Sequence, residues 1–205
     1  MGEFELRAYV FIDRMQPQFS AVLAAQAQGD VPVEGMSDLY VEVAPGNEIL
    51  RVADVALKAA DVRPASQVIE REFGMLELHS SKQAEVLAAG EAILDHLGHS
   101  ESDATRPQIS STQLITNVDP YQAQLINKFR RGSLLLPGSS LFVLECAPAA
   151  YVCLAANEAE KAASITVVEI RAVGRFGRLL VSGTESDAQA AGRAAAAALT
   201  ARAAP

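Results

Sequence analysis

The sequence predicts an α/β protein built as two tandem copies of one domain. Three observations carry that prediction. Sliding the 205-residue chain on itself by 103 positions brings its turn residues into coincidence without a gap. Pro17 falls on Pro120, Gly29 on Gly132, Gly35 on Gly138, and Phe73-Gly74 on Phe176-Gly177. Proline and glycine set backbone shape, so these matches speak to fold. Longer strings coincide as well: Glu42-Val43-Ala44-Pro45 with Glu145-Cys146-Ala147-Pro148, and "ADVALKAA" (53–60) with "ANEAEKAA" (156–163). Finally, each copy alternates strand-like and helix-like segments in the same order. The expected domains are residues 1–103 and 104–205, joined through the polar stretch "GHSESDATRP" (98–107).

The elements of one copy follow in order. "FELRAYVFID" alternates apolar and polar residues as a strand does. A helix is expected from about Gln16 to Gln28, stopped by Gly29; its counterpart opens at Asp119-Pro120, an N-cap followed by proline at the first helical position. The loop "DVPVEGMS" leads to the strand "DLYVEVA". In the next helix, "NEILRVADVALKAA", Asn47 is the expected cap, and Leu50, Ala53, Leu57 and Ala60 recur at helical spacing as an inward face. The strand "VRPASQVIE" carries Pro64 near its start, which suits an edge strand. It runs into "VIEREFG" (68–74), then the strand "MLELHS" and the helix "SKQAEVLAAGEAILDHL". Each copy thus holds roughly four strands and three helices. The last helix, "SDAQAAGRAAAAALTARAA", is Ala-rich and reads as closely packed or surface-lying.

Bulk properties narrow the function. Apolar residues make up 50% of the chain, enough for real cores. No apolar run approaches the ~18 residues of a membrane span, and the N-terminus lacks the basic-then-apolar pattern of a secretory signal. Cys146 and Cys153 have neither a CxxC arrangement nor a His partner and read as reduced, structural residues of a cytosolic protein. A net charge of −8 argues against nucleic acid as a partner. The charge is uneven: residues 1–103 hold 7 Lys/Arg against 18 Asp/Glu, residues 104–205 hold 10 against 7.

Catalytic readings find little support. Glu70 and Glu72 would share one face of a strand and repel, with no nucleophile or histidine near them in sequence. His96-x-x-His99, with Asp95 and Glu101 nearby, has metal-ligand spacing but lies at a helix end where polar residues gather anyway. "GRFG" (174–177) is not a dinucleotide fingerprint, and no phosphate-binding loop is present. The basic "KFRRG" (128–132) suits a helix C-terminus. No catalytic residue, metal or cofactor is expected.

The order of elements resembles the bacterial microcompartment shell domain, in which this second helix carries an Asp/Asn-x-x-x-Lys pattern. Here the pattern stands as Asp54…Lys58 and Asn157…Lys161. The resemblance implies an α+β fold, each copy a small, mainly antiparallel sheet with flanking helices. It also implies that Lys58 and Lys161, with Asp54 and Asn157, lie at the edge of a tile and meet neighbouring tiles. Two copies in one chain resemble the tandem-domain, trimer-forming class, and the leading strand and helix its circularly permuted version. A Glu-Arg pair in a "VxERxxG" context resembles the carboxysome-type subgroup with a gated pore, where it lines the opening. Glu70 and Arg71 hold those positions, with Glu72 and Phe73 beside them; in the second copy Val173, Gly174, Arg175 and Phe176 replace them.

The resemblance thus implies a non-enzymatic shell protein: a pseudohexameric homotrimer, possibly stacked as two trimers. Its partners would be itself, other shell proteins, and small polar or charged metabolites crossing a central pore. Its place would be cytoplasmic, in the shell of a microcompartment. The first loop would hold the gate; the second would line the pore passively, so that the gate belongs to one layer. The acidic first and basic second copies would give the disc unlike sides. The alternative is a tandem α/β ligand-binding module or enzyme with a cleft between its halves.

Overall fold

The computed structural model describes residues 4–203. The first repeat contains β1 (Glu5–Ile12), α1 (Pro17–Gln26), β2 (Ser37–Ala44), α2 (Ile49–Ala59), β3 (Gln67–Glu70), β4 (Phe73–Ser80) and α3 (Gln83–Leu97). The second repeats this order as β5 (Gln108–Ile115), α4 (Pro120–Phe129), β6 (Ser140–Ala147), α5 (Tyr151–Ala162), β7 (Thr166–Arg171), β8 (Gly177–Gly183) and α6 (Glu185–Ala203). Each repeat folds as one antiparallel sheet of four strands, in the orders β1-β2-β4-β3 and β5-β6-β8-β7.

The repeat extends to backbone detail. The β1–β2 register slips between Leu6 and Ala8, and the β5–β6 register slips between Ile109 and Ser111, 103 residues on. Gly35 and Gly138 both take left-handed backbone, at φ 83° and 82°, where a side chain would be strained.

Central β2 is buried on both faces. Leu39, Val41 and Val43 pack under α2 and α3 with Leu76, Leu78, Val86 and Ile93. Tyr40 on the opposite face joins a larger core that takes in Phe19 and Val22 of α1 together with Cys153, Val167 and Ile170 of the second repeat. That second core holds the repeats together. Polar groups tie the same seam. Glu160 of α5 accepts from the Gln18 and Phe19 amides at 2.8 Å each, capping α1 from outside. The Glu42 carboxylate accepts from the Ala150 amide at the start of α5 (2.9 Å) and from Arg7 Nε (2.7 Å).

Several local expectations need correction. Gly29 does not stop α1, which ends at Gln26; Gly29 is required further on because a Cβ there would strike the Pro64 carbonyl. Asn47 does not cap α2: residues 46–48 form a 3₁₀ turn, and α2 starts at Ile49 without a side-chain cap. The inward face of α2 is Ile49, Val52, Ala53 and Ala56, whereas Leu50 and Leu57 are 51% and 45% exposed. Apolar residues lie on both sides of this helix, so periodicity alone picked the wrong stripe. Strand β3 is shorter than expected, with Arg63 joining β4 only through an isolated bridge to His79. Its edge position agrees with Pro64.

Other readings stand. The Asp119 side chain accepts from the Tyr121 amide as the cap of α4. Arg130 Nη1 donates to the Asn127 carbonyl at the end of that helix, which accounts for the basic cluster. Helix α6 packs closely through small residues: a Cβ at Gly192 would collide with the Phe142 ring at 2.5 Å. Residues 98–107 are polar but tied down: the Thr105 amide donates to the Leu6 carbonyl, and Glu101 pairs with Arg202 at 2.6 Å. Cys146 and Cys153 are free and buried, and burial pushes the Cys146 thiol up to about 12.

Candidate functional site

Strands β3 and β4 form a hairpin whose last pair is Glu70 opposite Phe73, leaving Arg71 and Glu72 as its two-residue tip. Arg71 takes φ 54°, the left-handed region. Two-residue hairpins of the II′ kind place glycine at this first central position. In the second repeat the last β7–β8 pair is Arg171 opposite Arg178, so the loop is longer, and Gly174, the position equivalent to Arg71, takes φ 97° within it. Both loops hold a left-handed residue at this position, and only the first fills it with a charged side chain. That arginine costs on the order of 1–2 kcal/mol in conformational strain.

Behind the tip, Gly74 is fixed by close approach. A Cβ there would meet the Gly46 carbonyl and, at 2.6 Å, the Ile49 Cβ. Gly177 makes the same approach to Ala149 and Val152. Each hairpin is thereby seated on the start of the helix that precedes it, α2 or α5, so its tip projects from a rigid base.

The tips of the two hairpins lie side by side. Glu70, Arg71, Glu72 and Phe73 line one depression of about 260 Å³ together with Gly174 and Arg175. A Cβ on Gly174 would sit 3.8 Å from Glu70 Cγ. The two loops are therefore neighbours at one depression. Arg175 is exposed beside the acidic residues of the first loop. Val173 and Gly174 are half-buried, and Phe176 is 40% exposed.

Glu70, Arg71 and Glu72 are exposed, and among the described residues none of them forms an ion pair within the chain. Phe73 is different. Its ring is half-buried under the Arg7 guanidinium, 3.7 Å from the ring centroid, and Arg7 in turn is held by Glu42. A neighbouring depression of about 420 Å³ is lined by Arg7, Glu72, Phe73, Arg106, Arg175 and Phe176 among others. Sequence reasoning missed Arg7 and Arg106. They lie on β1 and in the linker, far along the chain from the hairpins, and no local pattern marks them.

The expected edge residues separate. Lys58 pairs with Asp54 at 2.7 Å, and both are exposed. Lys161 pairs with Glu158 at 2.7 Å and approaches Asp13 at 3.8 Å. Asn157 is fully buried, so its assignment as an edge contact is corrected. Its side chain accepts from the Gln16 amide (2.9 Å) and donates to the Arg14 carbonyl (3.3 Å), pinning the start of α1. The equivalent Asp54 looks outward because, among the described residues, no α1-like helix covers it. Of the histidines, His99 bonds the Leu97 carbonyl and stacks edge-on against Phe4, while His79 lies buried between Glu77 (2.8 Å) and Asp30 (3.6 Å).

Comparison with known proteins agrees with this architecture. Residues 6–103 match the family described as the CsoS1D N-terminal domain. The carboxysome shell protein CcmP of Synechococcus elongatus is 51% identical over 195 residues, 95% of this chain and 92% of that protein. The fused permuted hexameric shell protein MSM0275 of the RMM microcompartment superposes with a TM-score of 0.95 at 47% identity, covering 98% of this chain and 99% of the other. The double-ringed trimeric shell protein MSM0271 of the same microcompartment superposes at 0.93 with 39% identity, covering 97% of each chain. The reading as a ligand-binding module or enzyme with a cleft between its halves is thereby set aside. Two sheets related by a 103-residue repeat, seated glycine hairpins and near-full-length similarity to shell proteins together place this chain in the CsoS1D-type, tandem-domain family of bacterial microcompartment shell proteins, a structural family and not a catalytic one.

Proposed function

We propose that the chain forms a pseudohexameric homotrimer whose threefold axis runs past the hairpin tips, and that Glu70 and Arg71 gate the central pore. The observation carrying this reading is that both hairpins converge on one depression where the exposed Glu70, Arg71 and Glu72 find no ion-pair partner among the described residues. Closed threefold symmetry turns one such tip into a ring. Paired across the axis, three glutamates and three arginines shut the hole; swung outward, they leave it open. Small ligands bias such a balance when its two states differ by a few kcal/mol. Arg175, and Arg106 in the neighbouring depression, bring further positive charge, which favours small anionic or polar metabolites. Lys58 and Lys161 remain the proposed contacts to neighbouring tiles. In this arrangement the acidic and basic repeats alternate around the disc, which replaces the expectation of two unlike faces. The test is a crystal structure of the Glu70→Ala/Arg71→Ala variant. It should assemble normally with an open axis; an axis still occluded would refute the gate.

Face-to-face stacking of two trimers has its own support. Val31 and Val33 are 55% and 51% exposed, and their repeat counterparts Leu134 and Leu136 are 54% and 65% exposed. Pseudo-sixfold symmetry puts these loops on one side of the disc, an apolar surface of the kind that marks contacts. Three copies of the 21.7 kDa chain give about 65 kDa and two stacked trimers about 130 kDa. Light scattering of a Val33→Asp/Leu136→Asp variant should show the smaller mass where the native protein shows the larger. An unchanged mass would exclude these loops from the stack.

A further inference from the structure

The apolar loop that follows the first helix of each repeat is held in two different ways. In the second repeat the clamp is neutral. The Asn127 side chain of α4 donates to the Leu135 carbonyl and accepts from the Leu135 amide, both at 2.9 Å. Leu134 and Leu136 are exposed on either side of this fixed residue. The first repeat lacks the clamp on both sides at once. Ala24 stands at the place of Asn127, and Pro32, which has no amide hydrogen, at the place of Leu135.

What the first repeat has instead is ionisable. Asp30, at the root of its loop, places Oδ2 3.6 Å from Nε2 of His79 on β4. His79 is buried, and its Nδ1 lies 2.8 Å from Glu77 Oε1. Asp38 stands directly across from His79 on β2, and Tyr40 across from Glu77. The second repeat has Ser133, Leu180, Ser182, Leu141 and Val143 at the places of Asp30, Glu77, His79, Asp38 and Tyr40. The ionisable set thus belongs to the repeat that lacks the amide clamp.

We infer that His79 and Asp30 form a proton-operated clasp on the loop carrying Val31 and Val33, so that trimers stack more tightly as pH falls and separate as it rises. The inference rests on the stacking reading above and adds its regulation.

The chemistry follows from the imidazole. Protonated, the ring carries a hydrogen on both nitrogens, Nδ1 facing Glu77 and Nε2 facing Asp30. Neutral, it keeps one proton, which the shorter contact to Glu77 retains on Nδ1. Nε2 then turns a lone pair on the Asp30 carboxylate, and attraction becomes repulsion. The rest of the loop offers little resistance. The Asp30 amide donates to the Pro64 carbonyl at 2.9 Å and the Gly35 amide to the Met15 carbonyl at 3.0 Å, with Val31, Pro32, Val33 and Glu34 between these two anchors.

The groups around the ring set where the change occurs. Glu77 of β4 and Asp30 of the loop face it directly. Asp38 and Tyr40 come from β2, and Cys153 of α5 closes the set behind them. Arg63, before β3, pairs with His79 through backbone, and Arg131 lines a cavity together with Tyr40 and Glu77. Burial pushes the His79 pKa down, but the Glu77 hydrogen bond and charge, followed by Asp30, outweigh it and leave the value raised. The clasp is therefore complete below the ordinary histidine pKa of about 6.5 and is lost as pH climbs through the raised folded value.

The test follows stacking by light scattering at constant ionic strength from about pH 6 to about pH 9. One half-exposed ion pair biases its loop about twofold, and two stacked trimers carry six such loops, so the dissociation constant of the native stack should rise more than ~tenfold over that range. Asp30→Asn, a change at an exposed side chain, should loosen the stack at the acid end and flatten the dependence. Parallel pH curves for the native chain and the variant overturn the clasp and leave the stack standing. A chain that never exceeds one trimer overturns the stacking reading and the regulation with it. The clasp itself is then read from the ring resonances of His79 by NMR: its pKa should fall in Asp30→Asn, and a value that does not move overturns the contact.

Discussion

Substituting Glu42 by glutamine tests the strut that joins the repeats and supports the pore hairpin. Glu42 is 1% exposed and accepts from Arg7 Nε at 2.7 Å and from the Ala150 amide at 2.9 Å. Burial raises its pKa, and Arg7 and the Ala150 amide offset that only in part. The intact pair is therefore worth less than its geometry suggests, as is usual for buried ion pairs. Removing one partner is a different matter, because the Arg7 side chain is only 13% exposed and would be left without its main counter-charge. Breaking a buried pair from one side costs about 3–5 kcal/mol. The lower end applies here, since Glu5 at 3.5 Å can take up part of the charge and glutamine keeps one acceptor. A loss of about 3 kcal/mol in a chain of this size lowers Tm by roughly 6–12 °C. The assay is thermal unfolding followed by circular dichroism. A shift under about 2 °C would refute the reasoning. The Arg7→Met/Glu42→Gln double variant should recover much of the loss, because no stranded charge remains. It should also loosen Phe73, whose ring lies under Arg7.

Replacing Arg71 by glycine should stabilise the fold by about 0.5–1 kcal/mol, the left-handed strain relieved less the entropy of glycine. Tm should then rise by ~1–4 °C, and the proposed gate should stand open; a fall in Tm would count against strain at this tip. Asp38 predicts a pH dependence. It is fully buried, facing Tyr40, Glu77 and His79 of its own sheet and Cys153 of α5. Burial first, then Glu77, holds its pKa well above the usual carboxylate value. A raised folded value means the stabilisation is complete below the unfolded pKa of about 3.9 and is lost as pH climbs through the folded one. Asp38→Asn should therefore raise Tm more at pH 8 than at pH 5, and equal gains at both pH values would contradict the assignment.

The repeat was legible because it is carried by residues whose backbone role is independent of context. Gly74 and Gly177 have no room for a Cβ, and Gly35 and Gly138 need positive φ. Asp119-Pro120 announces its helix for a local reason as well. What misled the reading of α2 was also local: Leu50 and Leu57 keep helical spacing but face outward. Periodicity counts apolar residues and does not say which partner each apolar stripe awaits.

The sequence by itself determined the doubling of the fold, the antiparallel hairpins and the place of the Glu70-Arg71 tip, because those depend on steric demands of single residues and their near neighbours. The tertiary structure alone decided that Asn157 lies buried while Asp54 in the same frame is exposed, that Arg7 covers Phe73, and that both hairpins share one depression. Each of these depends on which surface from a distant part of the chain arrives against the residue. Two like patterns 103 residues apart acquire different environments because α1 covers α5, and among the described residues no helix covers α2 in the same way.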